Sequence, residues 1–192
     1  MRLFVAIELG DSLIRSLVAQ IDRLRHETEQ SCPGLPVRWV GASNLHVTLV
    51  FLGEVGEESS PAVREALDRP IAVAPFALTL AGFGTFPSSG PLRVVWMGVA
   101  QGAEAAKVVH AEVVRRLAPL GCRPESRPYT PHVTIARVKE ARGPGARSAR
   151  ELVRRFPAGG GVTTVESVTL FRSHLSPRGS TYEPLLRVPL EQ

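Results

Sequence analysis

At 192 residues, 44% hydrophobic and 21% charged, the chain is long enough to bury a core of its own, as one domain or two small lobes that share it. With no low-complexity tract, the composition excludes a largely disordered or fibrous protein. The formal charge of +5 is uneven: residues 1–120 carry 11 basic and 12 acidic side chains, residues 121–192 carry 12 and 6, so the second half is the one that attracts a polyanion. Only Lys107 and Lys139 among the 23 basic residues are lysines. Arginine's planar fork suits phosphate recognition, although genome composition is the more ordinary source of arginine richness. The early apolar run LFVAIEL at 3–9 contains Glu8, is far shorter than a membrane span and precedes no small-residue cleavage site, so a cytoplasmic protein is expected. Cys32 and Cys122 read as free thiols without a role.

In chain order, RLFVAIEL at 2–9 predicts a mostly buried strand. A helix follows over DSLIRSLVAQIDRLRHE, with Leu13, Leu17, Ile21 and Leu24 at helical spacing and Asp11 or Ser12 as its cap. VRWVGASNLHVTLVFLG leads into a strand carrying His46, SPAVREALDRP at 60–70 predicts a second helix, and FALTLAGFGTF at 76–86 a strand. The series then repeats. RVVWMGVA at 93–100 is a strand, and GAEAAKVVHAEVVRRLAPL a helix with its stripe at Ala106, Val109, Val113 and Leu117. RPYTPHVTIARV leads into a strand carrying His132, ARSARELVRRFP at 146–157 is a helix, and VTTVESVTLFRSHL at 162–175 a strand, before a turn at SPRGS and the closing run YEPLLRVPL.

The distance from Arg2 to His46 is 44 residues and from Arg93 to His132 is 39, while His46 to Phe76 and His132 to Val162 are both 30. The chain therefore reads as an α+β fold: duplicated β-α-β-α-β-like units form two pseudo-symmetric β-sheet lobes, with helices outside and a central cleft. One domain over 1–192 is expected, its lobes interleaved from repeat units at roughly 1–90 and 91–192.

Chemistry concentrates in His46-Val47-Thr48-Leu49 and His132-Val133-Thr134-Ile135, at equivalent places in the two units. From average residue usage, a chance second copy has a probability on the order of half a percent. A strand's period of two puts each histidine on the face of its threonine, with the valine between pointing into the lobe, so that two His-Thr pairs line the cleft. One neutral imidazole can take a proton from water while the other gives one to a leaving oxygen, and the hydroxyls can donate to phosphate oxygens as charge develops. Arg137 is the nearest cation to either motif, either a phosphate ligand or a surface ion pair with a residue such as Glu140. The sequence has no G-x-x-x-x-G-K-[ST] loop, no zinc spacing, no H-E-x-x-H and no aspartate cluster, so neither metal nor cofactor is expected. No serine has G-x-S-x-G around it, and His26, His110 and His174 have no partner motif.

These motifs, with WVGASNLHVTLVFLG at 39–53, RPYTPHVTIAR at 127–137 and LFRSHLSPRGSTYEPL at 170–185, resemble the two-histidine (2H) phosphoesterase superfamily. Within it they are most similar to the RNA 2′,3′-cyclic phosphodiesterase family, historically called 2′-5′ RNA ligase. The resemblance implies metal-independent hydrolysis of 2′,3′-cyclic phosphate RNA ends, and of nucleoside 2′,3′-cyclic phosphates, to 2′-phosphomonoesters, with ATP-independent 2′-5′ ligation of tRNA halves beside it. Carried over by position, it makes His46 and His132 catalytic, Thr48, Thr134 and Arg137 phosphate-binding, and Phe51 an aromatic that stacks on the base. Analogy gives His132 as base and His46 as acid. On an ideal strand Phe51 falls on the face opposite His46, so it needs a bend near Gly53 to reach the cleft, and a core role is the alternative. The expected partners are RNA ends, tRNA fragments among them, and cyclic mononucleotides, met by a monomer away from any membrane. A 2H enzyme of a small cyclic nucleotide and a non-catalytic RNA-end binding module are the rival readings.

Overall fold

A computed structural model describes residues 1–121, 128–157, 159–177 and 179–191; Cys122, Arg127 and Arg178 lie outside the described residues. The elements run β1 (Arg2–Glu8), α1 (Asp11–Ser31), β2 (Val37–Trp39), β3 (His46–Glu54), α2 (Ser60–Leu67), β4 (Ile71–Ala72), β5 (Phe76–Phe86), β6 (Leu92–Gln101), α3 (Ala103–Leu117), β7 (His132–Ala141), α4 (Gly143–Arg155), β8 (Val162–Val165), β9 (Ser167–Ser176) and β10 (Gly179–Glu191). The expected α+β class holds. One sheet takes the order β4-β10-β9-β1-β3-β7-β6-β5-β8, with β2 added on β7.

The middle of that order is twofold. Reading outward from the β3/β7 junction, β3, β1 and β9 on one side correspond to β7, β6 and β5 on the other. Each unit therefore gives its first two strands to one side and its last strand to the other. The counterpart of β5 is β9, which starts at Ser167, and not a single strand from Val162 as the apolar alternation predicts. The chain breaks at Glu166: β8 pairs with β5, whereas β9 pairs with β1 and β10. Because one residue separates β8 from β9, the sheet bends enough to bring its β8 edge back to the start of β9.

The helices bury the stripes their spacing predicts. Leu13, Leu17, Ile21 and Leu24 of α1 and Ala106, Val109, Val113 and Leu117 of α3 are all buried, in one continuous core with Val47, Val133 and the other inward strand residues. Two helix starts differ from expectation. The N-cap of α1 is Gly10, with no side-chain cap bond, and Asp11 sits in the first turn, where its charge favours the helix dipole. The last helix, α4, begins at Gly143, before the predicted Ala146, because Pro144 is tolerated in the first turn, where its missing N–H has no helical partner. Among the described residues, no helix is long and apolar enough to cross a membrane.

Leu17 is fully buried on the helix side, away from the histidine strands. Leu17→Ala should lower unfolding free energy by about 2–5 kcal/mol. Urea unfolding should show the midpoint fall at an unchanged m-value, and the protein that remains folded should keep its specific activity.

Candidate active site

The two histidine strands touch at one antiparallel pair, Val47 with Val133, whose side chains are fully buried. Continuing that register by one residue each way sets His46 across from Thr134 and Thr48 across from His132, all four on the face opposite the valines. The two histidines are then diagonal neighbours, roughly 7–8 Å apart, with Cβ atoms somewhat closer. That separation leaves room for a tetrahedral phosphate between the rings.

Each ring is oriented by the carbonyl two residues before it. His46 Nδ1 donates to the Asn44 carbonyl at 2.8 Å and His132 Nδ1 to the Thr130 carbonyl at 2.7 Å. A carbonyl only accepts, so both rings carry their proton on Nδ1 and direct Nε2 elsewhere. His46 Nε2 accepts from the Thr48 hydroxyl at 3.0 Å. The Thr134 hydroxyl has no partner among the described residues, which leaves its proton for a ligand. Tyr129 links the two motifs. Its hydroxyl donates to the Thr48 carbonyl at 2.9 Å, 81 residues away, its ring stacks on His110 at 4.1 Å, and it directly precedes Thr130, which orients His132.

Period-two alternation alone places both Phe51 and Arg137 on the core face. Each strand carries an extra residue that reverses this. On β3, Val50 pairs with Val5 and Thr48 with Ala6, so Leu49 is the bulged residue and both Leu49 and Val50 point inward. On β7, Ala136 pairs with Val95 and Thr134 with Trp96, so Ile135 is the bulged residue, and Ile135 and Ala136 are both buried. The bulges lie three residues after each histidine. Phe51 pairs with Phe4, and Arg137 with Val94 and Arg38, on the same face as the histidines. The bend that Phe51 needs therefore comes mainly at Leu49, before Gly53, and the core alternative is overturned: Phe51 is 55% exposed, 6.0 Å from Phe4. Arg137 is exposed and bonded to no described residue, while the Glu140 side chain lies outside what is described.

Aromatic walls that no motif marked complete the site. His46 lies 5.1 Å from Phe4 and 5.3 Å, edge on, from Tyr182; Phe4, Ala6 and Phe171 form a small buried cluster on this face, with Tyr182 against it. His132 stands edge on to Phe86 at 5.1 Å, with Trp96 at 6.1 Å. Phe4, Trp96, Tyr129 and Tyr182 all lie in segments whose strand and turn patterns are readable, but only pairing reveals that they meet a histidine.

His46 is held well below the usual imidazole value, to about 4. Burial is the main cause, and the positive charge of Arg137, with that of His132 whenever it is protonated, pushes the same way, against the bond to Asn44. Glu8, its register partner on β1, is held by the Thr169 hydroxyl at 2.6 Å and Arg187 at 2.9 Å. His46 is thus neutral in the ligand-free protein at pH 7, and a bound anion between the rings offsets the neighbouring positive charge. Among the described residues, no three His, Cys, Asp or Glu side chains are grouped to hold a metal.

The family model for the 2′-5′ RNA ligase superfamily matches residues 14–176. The chain belongs to this superfamily. It is 36% identical to the RNA 2′,3′-cyclic phosphodiesterase of Aeropyrum pernix over 90% of this chain and 96% of that protein. It is 33% identical to the protein of the same name from Archaeoglobus fulgidus over 96% and 98%. Its fold matches the crystal structure of Escherichia coli LigT complexed with 3′-AMP with a TM-score of 0.72 and 30% identity, over 100% of this chain and 98% of that one.

The depressed proton affinity is directly measurable. At pH 6.5, where an ordinary histidine is half charged, the Nε2 resonance of His46 in ¹⁵N spectra should be that of a neutral ring, and its titration midpoint should climb on addition of inorganic phosphate. Half-protonation at pH 6.5 without phosphate would contradict the burial argument. Tyr129→Phe keeps the ring stack and removes the bond to Thr48, and turnover should fall while the far-ultraviolet spectrum stays unchanged.

Proposed function

We propose that the protein is a metal-independent RNA 2′,3′-cyclic phosphodiesterase that produces 2′-phosphomonoesters. The observation that carries this reading is the facing of two His-Thr pairs across Val47 and Val133, with both Nδ1 atoms engaged by backbone and Arg137 turned to the same face. The superfamily membership and the names of the two archaeal relatives support it.

In the proposed step, His132 Nε2 takes a proton from water as the water oxygen attacks phosphorus. The P–O3′ bond breaks, and His46 delivers a proton to the leaving O3′. Thr48, Thr134 and Arg137 donate to the non-bridging oxygens, where negative charge grows. His46 acquires its proton when the anionic substrate binds. Once protonated, it hands that proton to the departing alkoxide, a far stronger base than imidazole. Phe51, exposed and backed by the buried Phe4, offers an apolar face to the nucleobase. A 5′-hydroxyl in the place of water breaks the same bond and leaves a 2′-5′ linkage, so ligation needs no nucleotide cofactor. Substrates of this kind, cleaved RNAs including tRNA fragments, fit a monomer working in the cytoplasm.

Hydrolysis of 2′,3′-cyclic AMP to 2′-AMP should proceed undiminished in EDTA; loss of turnover that a divalent metal restores would sink the mechanism. His46→Ala and His132→Ala should each lower turnover by at least about 10², since a positioned acid or base contributes ~10²–10⁴. The double variant should be little worse than either single one, because the two act as a unit.

Thr48→Val and Thr134→Val keep the β-branch and delete a donor, so each should cost ~10²–10³ in rate if that donor faces developing charge. Arg137→Lys keeps the charge without the fork and should remain clearly impaired. Near-normal activity in this variant would assign Arg137 to the surface instead.

A further inference from the structure

A 2′,3′-cyclic phosphate closes on the last ribose of a chain, so the rest of an RNA substrate extends only from the 5′ side. It leaves the cleft in one direction. The fold offers two pseudo-equivalent exits, one past the end of β3 and one past the end of β7, and their charges are opposite. At the end of β3 stands Glu54, beside Arg2 and 3.9 Å from the N-terminal ammonium, and beyond it the exposed Glu57 and Glu58. Beyond Arg137 on β7 stand the exposed Lys139, Arg142 and Arg147, and residues 128–150 hold five basic side chains against one acidic. A polyanion is repelled at the first exit and drawn to the second.

Past the end of β7, around on the helix side of the sheet, lies a cavity of about 410 Å³ between the β5–β6 turn and α4, lined in part by Ser88, Ser89, Arg142, Arg147 and Arg150, which a chain leaving by the second exit reaches by rounding that end. None of its described lining residues is acidic. Arg150 builds the wall: its guanidinium bonds the Thr85 hydroxyl at 2.8 Å and the carbonyls of Pro87, Ser88 and Gly90 at 2.6, 3.3 and 3.0 Å. Arg142 and Arg147 are exposed and bonded to no described residue, so their donors are available to a ligand. The cavity adjoins the end of β7, seven residues beyond Thr134, or roughly 20 Å along a strand. That is the reach of a few nucleotides, too far for any group of a cyclic mononucleotide held between the histidines.

We propose that this cavity is a second phosphate subsite, in which Arg142 and Arg147 hold a backbone phosphate of the RNA upstream of the cyclic end. The inference rests on the RNA-end reading above. It makes the protein a reader of chain length as well as of the terminal phosphate. Arginine forks on phosphate oxygens fix position without reading bases, so the subsite is indifferent to sequence.

The test is direct binding of a labelled RNA of about ten nucleotides ending in a 2′-phosphate, followed by anisotropy over a series of salt concentrations. The double variant Arg142→Ala/Arg147→Ala should bind about tenfold more weakly, with a salt slope shallower by roughly 0.7, the loss of one single-strand phosphate contact. Its kcat/KM on 2′,3′-cyclic AMP should be unchanged, while the gain in kcat/KM from mononucleotide to oligonucleotide disappears. Arg154→Ala/Arg155→Ala removes the same charge from the other end of α4 and should leave RNA binding intact. An equal loss in this control, or no loss in the first variant, overturns the subsite. Absence of turnover on 2′,3′-cyclic AMP in the unaltered protein sinks the hydrolase reading, whereas the binding arm still decides the cavity.

Discussion

The geometry of the cleft depends on the single antiparallel contact between Val47 and Val133. Both valines are driven inward by burial, and the strand's alternation then forces His46, Thr48, His132 and Thr134 outward together. Because the contact is antiparallel and lies at the centre of a twofold strand order, each histidine meets the threonine of the other motif. A shift of either strand by one residue would turn its histidine into the core, so the apolar packing that stabilises the fold also enforces the register of the site.

The scaffold is symmetric and its decoration is not. The bulges at Leu49 and Ile135 are equivalent, yet one turns Phe51 outward and the other Arg137. A ligand with a charged end and an aromatic end therefore meets different chemistry on the two sides of the axis, which gives it one orientation where a fully symmetric cleft would give two. The same inequality reaches the imidazoles. His46 is packed against Phe4 and Tyr182 and lies within the fields of Arg137 and His132, conditions that favour its neutral form.

Much of this is legible in the amino-acid sequence. Duplicated HVT motifs identify the two histidine strands, and stripes such as Leu13, Leu17, Ile21 and Leu24 identify the helices, because burial imposes a period that hydrophobicity records. The bulges were not legible. An inserted residue changes the facing of everything after it, and Leu49-Val50 or Ile135-Ala136 are simply two apolar residues in a row until a partner strand shows which one is unpaired. The break at Glu166 was hidden for a similar reason, since β8 and β9 each alternate acceptably as one continuous strand and differ only in their neighbours. Tyr129 joins Thr48 across 81 residues, a link that depends on the tertiary fold and has no local signature.

The suppressed charge on His46 ties binding to chemistry on the reading proposed here. A cleft with Arg137 and a second histidine nearby attracts an anion, while burial, aided by the same positive field, removes the proton that an acid at His46 requires. The phosphate resolves the conflict by bringing the compensating charge, so that proton and substrate enter as a pair. A neutral analogue of the same shape leaves His46 unprotonated and the leaving oxygen without an acid. Discrimination for a charged phosphodiester then resides in the protonation state of the catalyst as well as in contacts to the ligand. That economy of parts depends on burial: in a fully solvated site, water would screen the field of Arg137 and leave His46 close to its ordinary value.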